Sequence, residues 1–131
     1  MSDFAGVKPT GWPDQVDAPG RHGGPWEQSA VKWLLAEVAP GAWRDGLNGA
    51  QYRRHPLMLA RDAQYLVEGQ LNGLREAYRK ARVELGEHFE PQQIDEQLAM
   101  YAEEGKRLEG LRMQVQLVYD ALSGVRWVPR A

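Results

Sequence analysis

"GEHFEPQQID", residues 86–95, is the stretch on which the fold depends, because long apolar-periodic segments lie on both sides of it. Gly86 suits a helix C-terminus and Pro91 a first helical turn. Asp95 and Glu96 then sit where the positive end of a helix dipole favours carboxylates. One helix therefore stops here and another starts.

Upstream, Ala60, Ala63, Val67, Leu71, Leu74, Tyr78, Ala81 and Leu85 are spaced 3, 4, 4, 3, 4, 3 and 4 residues apart. That spacing keeps one apolar stripe on a helix opened by Pro56 and running over 56–86. Downstream, Ile94, Leu98, Tyr101, Gly105, Leu108, Leu111, Val115, Val118 and Leu122 step by 4, 3, 4, 3, 3, 4, 3 and 4, which predicts a second helix over 91–123. Each rod of roughly 30 residues spans about 45 Å at 1.5 Å per residue. Joined by so short a link, the two must lie antiparallel. The expected fold class is all-α, a long two-helix hairpin of coiled-coil character.

The hairpin also predicts a charge register. Residues 69–85, "GQLNGLREAYRKARVEL", hold Arg75, Arg79, Lys80 and Arg82 against Glu76 and Glu84. Residues 90–104 hold Glu90, Asp95, Glu96, Glu103 and Glu104 with no lysine or arginine. A turn centred near residues 88 and 89 places Arg82 opposite Asp95 and Glu96, and Arg75 opposite Glu103 and Glu104. Such flank pairs set register more than stability, contributing about 0–1 kcal/mol each when exposed. Gly69, Gly73, Gly105 and Gly110 interrupt the rods at about 1 kcal/mol apiece relative to alanine. Their presence predicts a close approach of helix backbones, or an inserted indole from Trp26 or Trp33.

Ahead of the hairpin, "GGPWEQSAVKWLLAEVAPG", residues 23–41, predicts a short helix over 26–39 with Pro25 and Glu27 at its start and Pro40 and Gly41 past its end. At about three turns it cannot stand alone, so it must pack on the hairpin through Trp26 and Trp33. Residues 40–55 are broken by Gly41, Gly46 and Gly49 and read as a connecting loop with at most a turn of helix. Pro9, Pro13, Pro19 and Pro25, with five glycines, make residues 1–25 an extended or disordered arm, ahead of a single helical domain over 26–131. Phe4, Trp12 and Val16 are apolar anchors on that arm, suited to a groove on a neighbouring molecule. The tail, 124–131, carries Trp127, which can fold back.

At 131 residues the chain suits one domain, and its formal charge of -2 gives no global attraction to phosphate or to an anionic membrane. Without cysteine there is no disulfide, thiolate metal site or cysteine nucleophile. No run of 18 apolar residues occurs, and the first residues lack the charged and apolar regions of a signal peptide, so a cytoplasmic protein is expected. Arginine outnumbers lysine and Ile94 is the only isoleucine, a bias of GC-rich bacterial or phage coding.

Chemistry is sparse. His22, His55 and His88 lie far apart in this arrangement. Glu84 and His88 flank an exposed turn, and the adjacent Glu103 and Glu104 point to different helix faces. "GRHGG", residues 20–24, has no strand before it, as a phosphate loop would require. No catalytic residue, metal ligand or cofactor is expected. The expected function is a non-enzymatic interaction or structural protein, a homo-oligomer self-associating through its helical hairpins or a protein whose arm docks on a partner, with Phe4, Trp12, Val16, Trp26, Trp33 and Trp127 as partner-binding residues. One alternative is a nucleic-acid-associated regulator using Arg53, Arg54, Arg79 and Lys80. Another is a small-molecule site among Trp26, Trp33, Tyr65, Tyr101 and Tyr119.

Overall fold

The structure of the chain, a computed structural model, describes residues 7–124, so Phe4 and Trp127 lie outside the described residues. Among the described residues four α-helices follow in order, α1 (Trp26–Trp33), α2 (Gly46–Arg54), α3 (Pro56–Leu85) and α4 (Pro91–Leu122). No strand occurs among the described residues. Helices α3 and α4 form the long antiparallel hairpin.

Glu27 fastens the start of α1 by reaching back, its Oε2 accepting the Gly23 N–H at 2.8 Å. After Trp33 the helix widens into a π-type turn over Leu34–Val38, where the Ala39 N–H bonds the Leu34 carbonyl at 2.8 Å, five residues back. Leu34 and Leu35, though adjacent, both enter the core. Pro40 then holds Ala39 extended, at ψ 148°, and ends the helix.

The expected loop over 40–55 is instead largely helical, since α2 occupies nine of its residues. Gly49 reads as a breaker in sequence, but its role is close approach: a Cβ there would lie 2.0 Å from the Arg44 carbonyl oxygen. Two contacts of Tyr52 then hold α2 in place. Tyr52 stacks on Trp43 with centroids 5.2 Å apart, and its hydroxyl donates to Asp62 Oδ2 of α3 at 2.8 Å. Tertiary contacts here outweigh weak helix propensity.

Burial and the bond to Asp62 push the Tyr52 phenol up to about 12 from an ordinary 10.0. Below the unfolded value the phenol is neutral in both states and its contribution is complete. Between about 10 and about 12 the unfolded chain ionises first, so stability falls as pH rises. Urea unfolding at about pH 9, 10 and 11 should show this loss, and Tyr52→Phe should flatten it relative to the parent.

The helices sort into two compact units, one comprising residues up to Leu66 and from Met113, the other Val67–Arg112. In the first, the arm packs against its own chain. Trp12 is 5% exposed and Val16 0%, and Trp26, Ala30, Trp33, Leu34, Leu59, Ala60, Ala63, Val115 and Val118 of the same unit are buried as well. Trp12 Nε1 donates to the Val16 and Asp17 carbonyls at 3.0 and 3.2 Å, and its ring lies 6.2 Å from that of Trp26. The Asp17 N–H closes the contact on Ser29 Oγ at 2.9 Å. A tryptophan removes roughly 150–250 Å² from water, enough to anchor a Pro-rich segment that has no helix of its own.

The second unit is a two-helix hairpin whose core cluster is Ala81, Ile94 and Leu98, with Leu85 and Tyr101 packed against it. Its turn begins at Leu85, whose carbonyl accepts the N–H groups of His88 and Phe89 at 3.0 Å. Gly86 lies directly past the end of α3, as expected, with a φ outside the left-handed region. A Cβ there would meet the Arg82 carbonyl at 2.5 Å, so the glycine serves close approach. Gln93 caps the restart, its Oε1 accepting the Glu90 N–H at 2.9 Å.

Arg82 faces Asp95 at 3.0 Å, as the short turn requires. Arg75 meets Glu109 at 3.4 Å, about one and a half helical turns beyond Glu103 and Glu104. Those two glutamates pair within α4 instead, with Lys106 and Arg107. Arg79 and Lys80 likewise share Glu76 within α3, at 2.7 and 3.5 Å. The basic and acidic flanks therefore meet at isolated points, because neighbours three or four residues away on the same helix compete for each charge. The expected glycine waist is absent as well: a Cβ at Gly69, Gly73 or Gly110 would find nothing within 4 Å, and one at Gly105 only Leu74 Cδ2 at 3.8 Å. Trp26 and Trp33 are spent in the core of the first unit.

Candidate interaction site

Two helices packed on each other cover only one stripe apiece, and the 67–112 hairpin has apolar surface left over. Val83 and Phe89 are exposed, and Met100 is 52% exposed. On this hairpin an open groove of about 360 Å³ runs between α3 and α4. Leu71, Leu74, Tyr101 and Gly105 line its apolar part, and Tyr78 and Ala102 extend it towards the turn. The missing side chain of Gly105 gives the groove depth, since Leu74 leaves ordinary contact distance above it.

Arg75, Lys106 and Glu109 form the rim. Glu109 accepts from Arg112 Nε at 3.0 Å as well as from Arg75, and Arg112 reaches on to Glu68 at 3.6 Å. The Arg112 hydrogen bond, aided by the nearby guanidinium charges, holds the Glu109 carboxyl below its ordinary value. Glu76 and Glu104 are lowered in the same way by Arg79 and Arg107. The rim thus keeps both signs of charge near neutral pH.

Of the residues expected to meet a partner, Trp12, Val16, Trp26 and Trp33 are buried in the first unit and hold the chain together. The groove residues Leu74, Tyr78, Tyr101 and Gly105 were legible as hairpin seam, but their exposure was not, because it depends on how much of each side chain the facing helix covers.

The cations of the nucleic-acid alternative belong to different elements. Arg79 and Lys80 share a carboxylate on α3, whereas Arg53 and Arg54 end α2. Arg53 Nη2 donates to the Arg44 carbonyl at 3.0 Å, bringing beside it an arginine that sequence reasoning passed over. The signal for Arg44 was available in Gly49, one helical turn ahead of Arg53. Among the aromatics of the small-molecule alternative, Trp26 and Trp33 are core, and Tyr65 is 68% exposed under the Arg61 guanidinium, 5.1 Å from its ring centre. Only Tyr101 of that set lines the groove.

Among the described residues no group of three or more metal-ligating side chains converges, and no helix is long and apolar enough to cross a membrane. No family model, curated protein or solved structure matches the chain.

Proposed function

We propose that this chain is a non-enzymatic interaction protein that self-associates through the hairpin of residues 67–112. The observation that carries this reading is the uncovered apolar groove around Leu74, Tyr101 and Gly105. A hairpin of this length gains most by laying that groove on another helical pair, which yields a four-helix arrangement. A second copy is the occupant that suits the rim. Arg75 and Lys106 stand with Glu109, so a purely acidic or purely basic partner meets like charge at one edge. A copy related by a two-fold axis presents the same mixture and can match unlike ends.

Ala102 is exposed in the groove, so Ala102→Arg tests the contact without disturbing the fold. Sedimentation or light scattering over a wide dilution series should show the parent moving from one chain mass to a multiple of it. The variant should associate about 30-fold or more weakly, the scale of a central interface position worth roughly 2 kcal/mol. A parent that stays at one chain mass throughout overturns the reading.

A further inference from the structure

We propose that α2 and the turn before it bind the backbone of a single-stranded nucleic acid through the guanidinium groups of Arg44, Arg53 and Arg54. This surface lies in the first unit and owes nothing to the hairpin groove. Gly49 creates it: without a Cβ, α2 lets the Arg44 carbonyl settle against it, and Arg53 fastens that carbonyl at 3.0 Å. Arg53 is thereby tied to the backbone of Arg44, nine positions earlier, and Arg54 follows on the next exposed position. Arg53 spends one donor of its fork on Arg44, leaving the others for an oxygen ligand.

None of the three makes an ion pair among the described residues. Of the acids nearest in sequence, Asp62 is taken by Tyr52 and Arg61, and among the described residues neither Glu37 nor Asp45 forms an ion pair with the three arginines. Elsewhere in the described chain arginines find carboxylates readily, as Arg75, Arg79, Arg82, Arg107 and Arg112 show. Exposed guanidinium groups without a carboxylate partner match phosphate oxygens, which each can contact in pairs.

Trp43 decides the class of polyanion. It stacks on Tyr52, directly before Arg44, and stays partly exposed, offering an aromatic face for an unpaired base beside the phosphate contacts. An anionic membrane would ask for an apolar face on α2, and the exposed apolar residue there is Leu47 alone. With an overall charge of -2, attraction is local and must be sensitive to salt.

The test is fluorescence anisotropy of a labelled single-stranded oligonucleotide titrated with the full chain. Three phosphate contacts predict a fall in affinity of about 20-fold between about 50 and about 200 mM salt. Arg54→Glu, whose side chain has no partner among the described residues, should weaken binding about tenfold at low salt and make the salt dependence shallower. Combining Arg44→Gln with Arg54→Gln should do the same, while a variant with Arg79→Gln and Lys80→Gln should bind like the parent. Circular dichroism of each variant confirms that the helices persist. The proposal is overturned by absence of binding at low salt, by full binding in Arg54→Glu, or by tighter binding to phosphatidylserine vesicles than to the oligonucleotide. A duplex bound as tightly as the single strand overturns the role given to Trp43.

Discussion

Replacing Trp12 by alanine lowers stability by about 3–5 kcal/mol, the range for truncating a buried tryptophan. The side chain is 5% exposed, packs on Trp26 at 6.2 Å, and gives its indole N–H to two carbonyls. Truncation leaves a cavity and removes the donor shared by Val16 and Asp17, so both the apolar and the polar terms are lost. Against a typical total of about 5–15 kcal/mol this is a large fraction, equivalent to a melting point lower by about 10–20 °C. Thermal denaturation followed by circular dichroism measures it. Unchanged melting would mean that residues 9–17 do not belong to the folded core, and the arm would again be a segment free to dock elsewhere. Trp12→Phe should fall between parent and alanine, since it keeps apolar bulk and loses the hydrogen bonds.

Gly49→Ala is the second large effect, and its sign runs against helix propensity. Alanine in a helix interior is favoured over glycine by about 1 kcal/mol. Here the added methyl would stand 2.0 Å from the Arg44 carbonyl oxygen and 2.6 Å from its carbon, and backbone cannot swing aside as a flexible side chain does. Overpacking of this kind costs about 1–3 kcal/mol and occasionally more, so the variant should be destabilised despite the better helix former. Chemical denaturation gives the size of the loss. A more stable Gly49→Ala protein would show that Arg44 does not lie against α2, and would remove the basis for grouping Arg44 with Arg53.

Helix positions along the hairpin were legible because periodicity and punctuation agreed. Pro56 and Pro91 start α3 and α4, and the structure ends α3 one residue before Gly86. Arg82 opposite Asp95 followed from turn length alone. Farther from the turn, pairing was not legible. Arg79 chose Glu76 over the facing helix, a competition decided by side-chain reach and rotamer that spacing does not express. Helix α2 was missed for a related reason. Gly46 and Gly49 carry low propensity, and the contacts that outweigh it, Trp43 on Tyr52 and Tyr52 to Asp62, span separations that a local window does not see.

The order of amino acids by itself determined that this chain is helical, where its long helices begin, and that they fold back on each other, because those outcomes follow from local periodicity and from a link too short to allow anything else. Only the tertiary structure decided which apolar groups are used up. Trp12, Val16, Trp26 and Trp33 have the same apolar character as Tyr78 and Met100, yet the first four are enclosed and the last two stay in contact with water. Enclosure depends on every element packed around a side chain at once, and that sum is available only from the folded arrangement.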